Sequence, residues 1–236
     1  MSQIIEKLRA ELSANSDELI QQTSQHFFKE SIRCYGIKSA TVVNISKEYF
    51  KTIKGASKTE IFELCEELWM SSMIEESFVA CNWSYSVCKN YEPDDLKVFE
   101  KWIGSYVDNW ASCDTLCNHT VGKFLEMYPD RISELKRWAT SKNRWMKRAA
   151  AVSLIIPARH GKFLKQITEI ADILLLDPDD LVQKGYGWML KAASQAHEME
   201  IFEYVMSKKA VMPRTALRYA IEKMSAELKT KAMEKS

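Results

Sequence analysis

Apolar residues recur three and four positions apart along almost the whole chain: Ile4, Ile5, Leu8 and Leu12; Ile61, Leu64 and Leu68; Leu96, Phe99 and Ile103; Leu217, Ala220, Ile221 and Met224. That period puts them on one face of a helix and does not fit a strand, whose side chains alternate every second residue. Breakers interrupt the pattern at Gly36, Gly55, Pro93, Pro129, Pro157, Gly161, Pro178 and Pro213. The segments between them are about 10 to 20 residues long, ordinary helix lengths. Only 7 Gly and 5 Pro occur in 236 residues, too little turn chemistry for a sandwich or barrel, while 46% hydrophobic residues suffice for a real core. An all-α fold is predicted.

The tryptophans suggest how the helices are organised. Trp69, Trp102 and Trp138 end comparable helices 33 and then 36 residues apart, and Trp110 and Trp145, 35 apart, open the helix that follows. A two-helix unit of roughly 35 to 45 residues cannot bury its apolar face alone and must stack on its neighbours, as HEAT and armadillo arrays do. The expectation is one curved α-solenoid of HEAT-like two-helix repeats, a single domain over residues 1–236. Irregular globular helices with coincidental tryptophans are the alternative.

No apolar run approaches the roughly 20 residues of a membrane span, and the opening MSQIIEKLRAEL has no signal-peptide core. A soluble, cytoplasmic monomer without membrane contact is expected. Six cysteines among helical apolar residues show no disulfide framework. Cys113 and Cys117, one turn apart near His119, could seed a metal site, but no CxxC or HxxxH supplies further ligands, so no metal is expected.

The formal net charge of +1 conceals a polarity: residues 1–120 hold 12 Lys and Arg against 18 Asp and Glu, whereas residues 121–236 hold 21 against 14. Residues 131–165 alone carry ten basic residues and one acidic, Glu134, with Trp138 and Trp145 among them. A polyanion is the natural partner of such a stretch, and a solvated helix face is the alternative.

No GxSxG, P-loop, GxGxxG or HExxH occurs, so no cofactor is expected. Trp110 and Asp114 stand at i and i+4, and Trp145 and Arg148 at i and i+3 one unit later, so each pair shares a helix face. With Trp188 in the next unit, Asp114, Arg148, Trp110 and Trp188 could line one basic, aromatic groove containing a single carboxylate. A carboxylate is out of place on a surface meant only to hold phosphates. An Asp114–Arg148 salt bridge tying two repeats, with the tryptophans as core, is the alternative.

The run Asn109-Trp110-Ala111-Ser112-Cys113-Asp114, then Asn143 to Ala150 (NRWMKRAA), then Gln183 to Leu190 (QKGYGWML), resembles in order and separation the HEAT-like-repeat DNA alkylation repair glycosylases, the AlkD family. A weaker likeness extends from Tyr35-Gly36-Ile37 to Pro213 to Ala220 (PRTALRYA), covering most of the chain.

The resemblance implies excision of cationic N3- or N7-alkylated purines from duplex DNA, without the base-flipping pocket of other glycosylases. Asp114, Trp110 and Trp188 match the catalytic positions and Arg148 a DNA-binding one. Arg144, Lys147, Lys191, Arg214 and Arg218, which lie in or beside the matching segments, are expected to contact DNA as well. Noncatalytic binding of damaged or branched DNA and a protein-binding scaffold are the rival functions. Two departures stand out: a family aromatic, commonly Tyr, falls at Phe27 by counting back from Gly36, and residues 38–43, usually containing Pro and Arg, read KSATVV.

Overall fold

Polar side chains start many of the helices. Asp17, Ser57, Asn109, Asn143, Asp179 and Ser225 each accept hydrogen bonds from backbone N–H groups of the first turn they precede. Ser57 forms a reciprocal capping box with Glu60. The computed structural model describes residues 3–234. Among them there is no strand, only one isolated bridge between Arg33 and Met73, and no helix long and apolar enough to cross a membrane.

The chain divides into two compact units, 1–116 and 117–236. The first carries 12 basic and 18 acidic residues and the second 21 and 14, so the change of sign seen in the sequence falls at this division.

In the first unit, α1 (Gln3–Ala14) and α2 (Glu18–Ser24) precede α3 (Ser39–Ile53). The pairs α4 (Lys58–Trp69) with α5 (Ile74–Ser86) and α6 (Asp95–Ser105) with α7 (Trp110–Thr115) follow. Trp69 and Trp102 close their helices as predicted and are buried with ring centroids 6.4 Å apart, so the tryptophan period marks repeat-to-repeat packing. Gly36 is required where it stands. Its φ is +82°, and a Cβ there would lie 2.3 Å from the carbonyl oxygen of Asp17.

A π-helical stretch, Leu116–Val121, leads out of α7. The second unit contains α8 (Gly122–Met127), α9 (Ser133–Ala139), α10 (Arg144–Val152), α11 (Ile155–Arg159), α12 (Leu164–Leu174), α13 (Asp180–Ala193), α14 (Glu198–Lys208), α15 (Arg214–Ala220) and α16 (Ala226–Met233). Trp138 closes α9 and is fully buried. Pro157 does not separate helices as expected but sits at the third position of α11, in a first turn where the missing N–H costs no helical bond.

Helix α13 packs between α10 and α15, and two glycines make both approaches close. A Cβ on Gly185 would lie 3.3 Å from Arg148 Cγ, and one on Gly187 would lie 2.7 Å from Tyr219 Cβ and 2.9 Å from the Ala216 carbonyl oxygen. A glycine within a helix costs roughly 0.5–1 kcal/mol relative to alanine. Here that cost is offset by contacts that a side chain would prevent. The result is an all-α fold of stacked two-helix repeats.

Candidate functional site

In the first unit the site residues are organised by the short helix α7. Asn109 caps it by accepting from the Ser112 N–H at 2.9 Å, and its amide nitrogen donates to Ser112 Oγ and Asp108 Oδ1 at 3.1 and 2.8 Å. Ser112 Oγ also lies 2.6 Å from Ser77 Oγ of α5, so buried hydroxyls fix the helix to the preceding repeat. Asp114 follows on that helix, 8% exposed, and Trp110, half-buried, lies one turn earlier on the same face.

The indole of Trp110 is held from outside its helix. Its Nε1 donates to the Phe27 carbonyl at 3.2 Å, and its ring stacks on Phe28 with centroids 5.2 Å apart and planes 21° from parallel. The ring of Phe27 is 74% exposed. Phe28, the neighbour of the residue reached by counting back from Gly36, is thus the ring that stacks on the indole. The 3₁₀ turn Gln25–Phe27 ends in extended backbone at Phe28, and this alternation directs the second phenylalanine inward.

The segment carrying these phenylalanines is anchored by two buried glutamates at the start of α5, which the sequence did not single out. Glu75 accepts backbone N–H bonds from Tyr35, Gly36 and Ile37 at 2.9, 2.9 and 3.1 Å. Glu76 accepts from the Tyr35 hydroxyl at 2.8 Å and from both Nε and a terminal nitrogen of Arg9 at 2.9–3.1 Å. Burial, together with this bond to Glu76, pushes the Tyr35 phenol well above its ordinary range. An acidic pair in a helix's first turn is ordinary in sequence. Only the fold shows that it faces inward.

In the second unit Arg148 is 5% exposed, and its guanidinium donates to the Leu181 carbonyl at the start of α13. Gly185 leaves the space its stem occupies, and Trp188, half-buried, lies one turn further along α13. Arg148 is thus pre-positioned rather than a mobile surface arm.

The other expected DNA contacts fall into two groups. Arg144 pairs with Asp179 at 2.6 Å, Lys147 with Asp177, and Lys191 with Glu222 at 2.9 Å, each partner lying about one repeat onward. Arg144 also rests 5.8 Å from the Trp145 ring centroid, and Lys191 lies 5.4 Å from that of Tyr219. Phosphates would compete with these carboxylates. By contrast, Arg214 and Arg218, one turn apart on α15, are exposed and have no ion-pair partner among the described residues. Much of the basic run 131–165 is paired in the same way, as with Lys136 and Glu169 at 3.0 Å and Lys162 and Glu126 at 2.9 Å.

All six cysteines are free thiols. No group of three or more His, Cys, Asp or Glu side chains is arranged to hold a metal ion among the described residues.

Compared with curated proteins, the sequence matches none. The fold is similar to that of a solved structure, a predicted DNA alkylation repair enzyme from Enterococcus faecalis, with a TM-score of 0.80 over 90% of this chain and 98% of that one at 14% identity. The sequence also matches, from residue 8 to 224, the family described as DNA alkylation repair enzyme. That span takes in both units and every residue placed above in the candidate site, and by it the chain belongs to the DNA alkylation repair enzyme family.

Proposed function

We propose that this chain is a DNA N-glycosylase that releases cationic N3- or N7-alkylated purines from duplex DNA. The observation that carries this reading is Asp114, a carboxylate 8% exposed, one turn from an indole fixed by Phe28. Membership of a DNA alkylation repair family supplies the substrate class. A second unit with 21 basic and 14 acidic residues suits a polyanion.

The chemistry follows from the charge of the lesion. Alkylation at N3 or N7 leaves the purine cationic, so when the glycosidic bond breaks the base keeps the electron pair and departs neutral, without a general acid. Positive charge then develops on the deoxyribose, where Asp114 stabilises it, and water adds at C1′ with loss of a proton. A fixed anion in a site of low dielectric acts more strongly as that charge grows, and the same carboxylate orients the water. The face of Trp110 packs on the sugar and attracts its positive charge. In the second unit Arg148, its stem immobilised against Gly185, holds a backbone phosphate.

The test is incubation of the protein with duplex DNA containing 7-methylguanine, followed by chromatography of the free base. Release above the spontaneous rate supports the proposal. Tight DNA binding without release would replace it with the noncatalytic reading.

A further inference from the structure

Between α3 and α5, in the first unit, lies an open hollow of about 400 Å³ that the site described above does not use. Its size falls within the roughly 300–1,000 Å³ of small-molecule sites. Helix α3 contributes Ser46, Lys47 and Phe50, and α5 contributes Asn82 and Tyr85. We propose that this hollow binds one unpaired nucleotide, its base held by Phe50, Tyr85 and Asn82 and its phosphate by Lys47.

Three polar groups there are uncommitted. Ser46 is 1% exposed and its hydroxyl has no hydrogen-bond partner among the described residues, although its carbonyl accepts from Trp83 Nε1 at 3.0 Å. Buried hydroxyls are seldom left in that state, and one in the wall of a hollow is suited to a ligand. The side-chain amide of Asn82 makes no hydrogen bond with any described residue, since Ser86 Oγ takes only its backbone carbonyl, at 2.7 Å. The Lys47 ammonium has no ion pair among the described residues.

The chemistry of these groups selects the ligand. An asparagine amide presents a donor beside an acceptor, the pattern that pairs bidentately with the edge of adenine. The rings of Phe50 and Tyr85, half-buried and exposed respectively, offer faces on which a base can stack. Lys47 and Lys51 stand one turn apart on α3, and because Lys51 pairs with Glu48 at 2.6 Å, Lys47 is the cation left to meet a phosphate, in a unit with 12 basic and 18 acidic residues. A duplex keeps its base faces stacked, so the occupant is a free mononucleotide or an unpaired nucleotide within a strand.

Calorimetric titration of the full chain with deoxyadenosine monophosphate, deoxyadenosine, inorganic phosphate and single-stranded oligodeoxyadenylate tests this. Asn82→Ala should weaken all three adenine-bearing ligands about 10-fold, the loss of roughly 1.4 kcal/mol expected for a pair of hydrogen bonds. Lys47→Gln should weaken the monophosphate by a similar factor and leave deoxyadenosine unchanged. Both side chains reach solvent, so thermal melting should be unaltered. Binding of the oligonucleotide alone, with the same sensitivity to Asn82→Ala and Lys47→Gln, assigns the hollow to an unpaired base in a strand. Absence of binding by both monophosphate and strand, binding unaffected by the two substitutions, or inorganic phosphate binding as tightly as the monophosphate would overturn the proposal. Asp114→Asn should leave this binding unchanged, so the hollow and the glycosylase reading can fail separately.

Discussion

Phe28 and Trp110, 82 residues apart in the sequence, form one stacked pair, and Trp110 Nε1 donates to the carbonyl of the preceding Phe27. Phe28→Ala removes half of that platform and should cost about 1–2 kcal/mol, less than a fully buried ring because Phe28 is half-buried. Base release should fall with it as the indole loses its fixed orientation. Phe27→Ala, at a ring 74% exposed, should stay within about 0.5 kcal/mol of the parent. Chemical denaturation of the two variants checks the contrast, and equal losses would assign the inward ring wrongly.

Gly187→Ala puts a methyl group 2.7 Å from Tyr219 Cβ and 2.9 Å from a backbone carbonyl that cannot yield cheaply. Overpacking of this kind should destabilise the protein by about 1–3 kcal/mol or more. At Gly55 nothing lies within 4 Å of the added methyl, so Gly55→Ala should be neutral or slightly stabilising. Melting temperatures of the two variants should therefore move apart.

Arg214 and Arg218 are the expected DNA contacts with no carboxylate to leave. Replacing both with Gln should weaken duplex binding, reduce the slope of log affinity against log salt by up to about 2, and leave stability unchanged. Lys191→Gln should instead affect both properties, because Lys191 also pairs with Glu222 at 2.9 Å. Binding isotherms at several salt concentrations provide the measurement. An unchanged salt slope in the double variant would remove α15 from the interface.

The capping box of α4 should appear in the acid stability of the protein. The Ser57 backbone N–H and hydroxyl donate to Glu60 at 2.7 and 2.8 Å and hold its carboxyl below the ordinary value of 4.5. A carboxylate with a depressed folded pKa contributes stability that is present above the unfolded value and is lost as pH falls through the folded one. Glu60→Gln should thus lower the melting temperature at neutral pH and narrow its difference from the parent below pH 4.5. Parallel curves across that range would exclude the capping box as a source of acid sensitivity.

Much of the architecture was legible because helical period and capping are local. Trp110 and Trp145 lie in the first turns of helices that Asn109 and Asn143 cap, and Trp69, Trp102 and Trp138 occupy the repeat positions their spacing implies. The charge changes sign near residue 120, close to where the two units divide, but without a Gly-, Pro- or Ser-rich linker the sequence offered no boundary there. What sequence could not show depends on stacking. The partners of Arg144, Lys147 and Lys191 lie 30 to 35 residues away, a spacing that acquires meaning only when one repeat rests on the next. Phe28 was missed because a one-residue choice at the end of a 3₁₀ turn decides which ring points inward. The glycines of Gly185-Tyr186-Gly187 were visible as odd residues in a helix, but their neighbours on α10 and α15 were not.

The central claim is tested most directly by 7-methylguanine release from Asp114→Asn, with duplex affinity and melting temperature measured on the same preparation. The substitution keeps the shape of a side chain 8% exposed and removes its charge. Excision should fall by about 10²-fold or more, as for other lost transition-state electrostatics, while affinity holds or rises because a negative charge has been removed from a phosphate-binding surface. A folded variant that retains full excision would contradict the account.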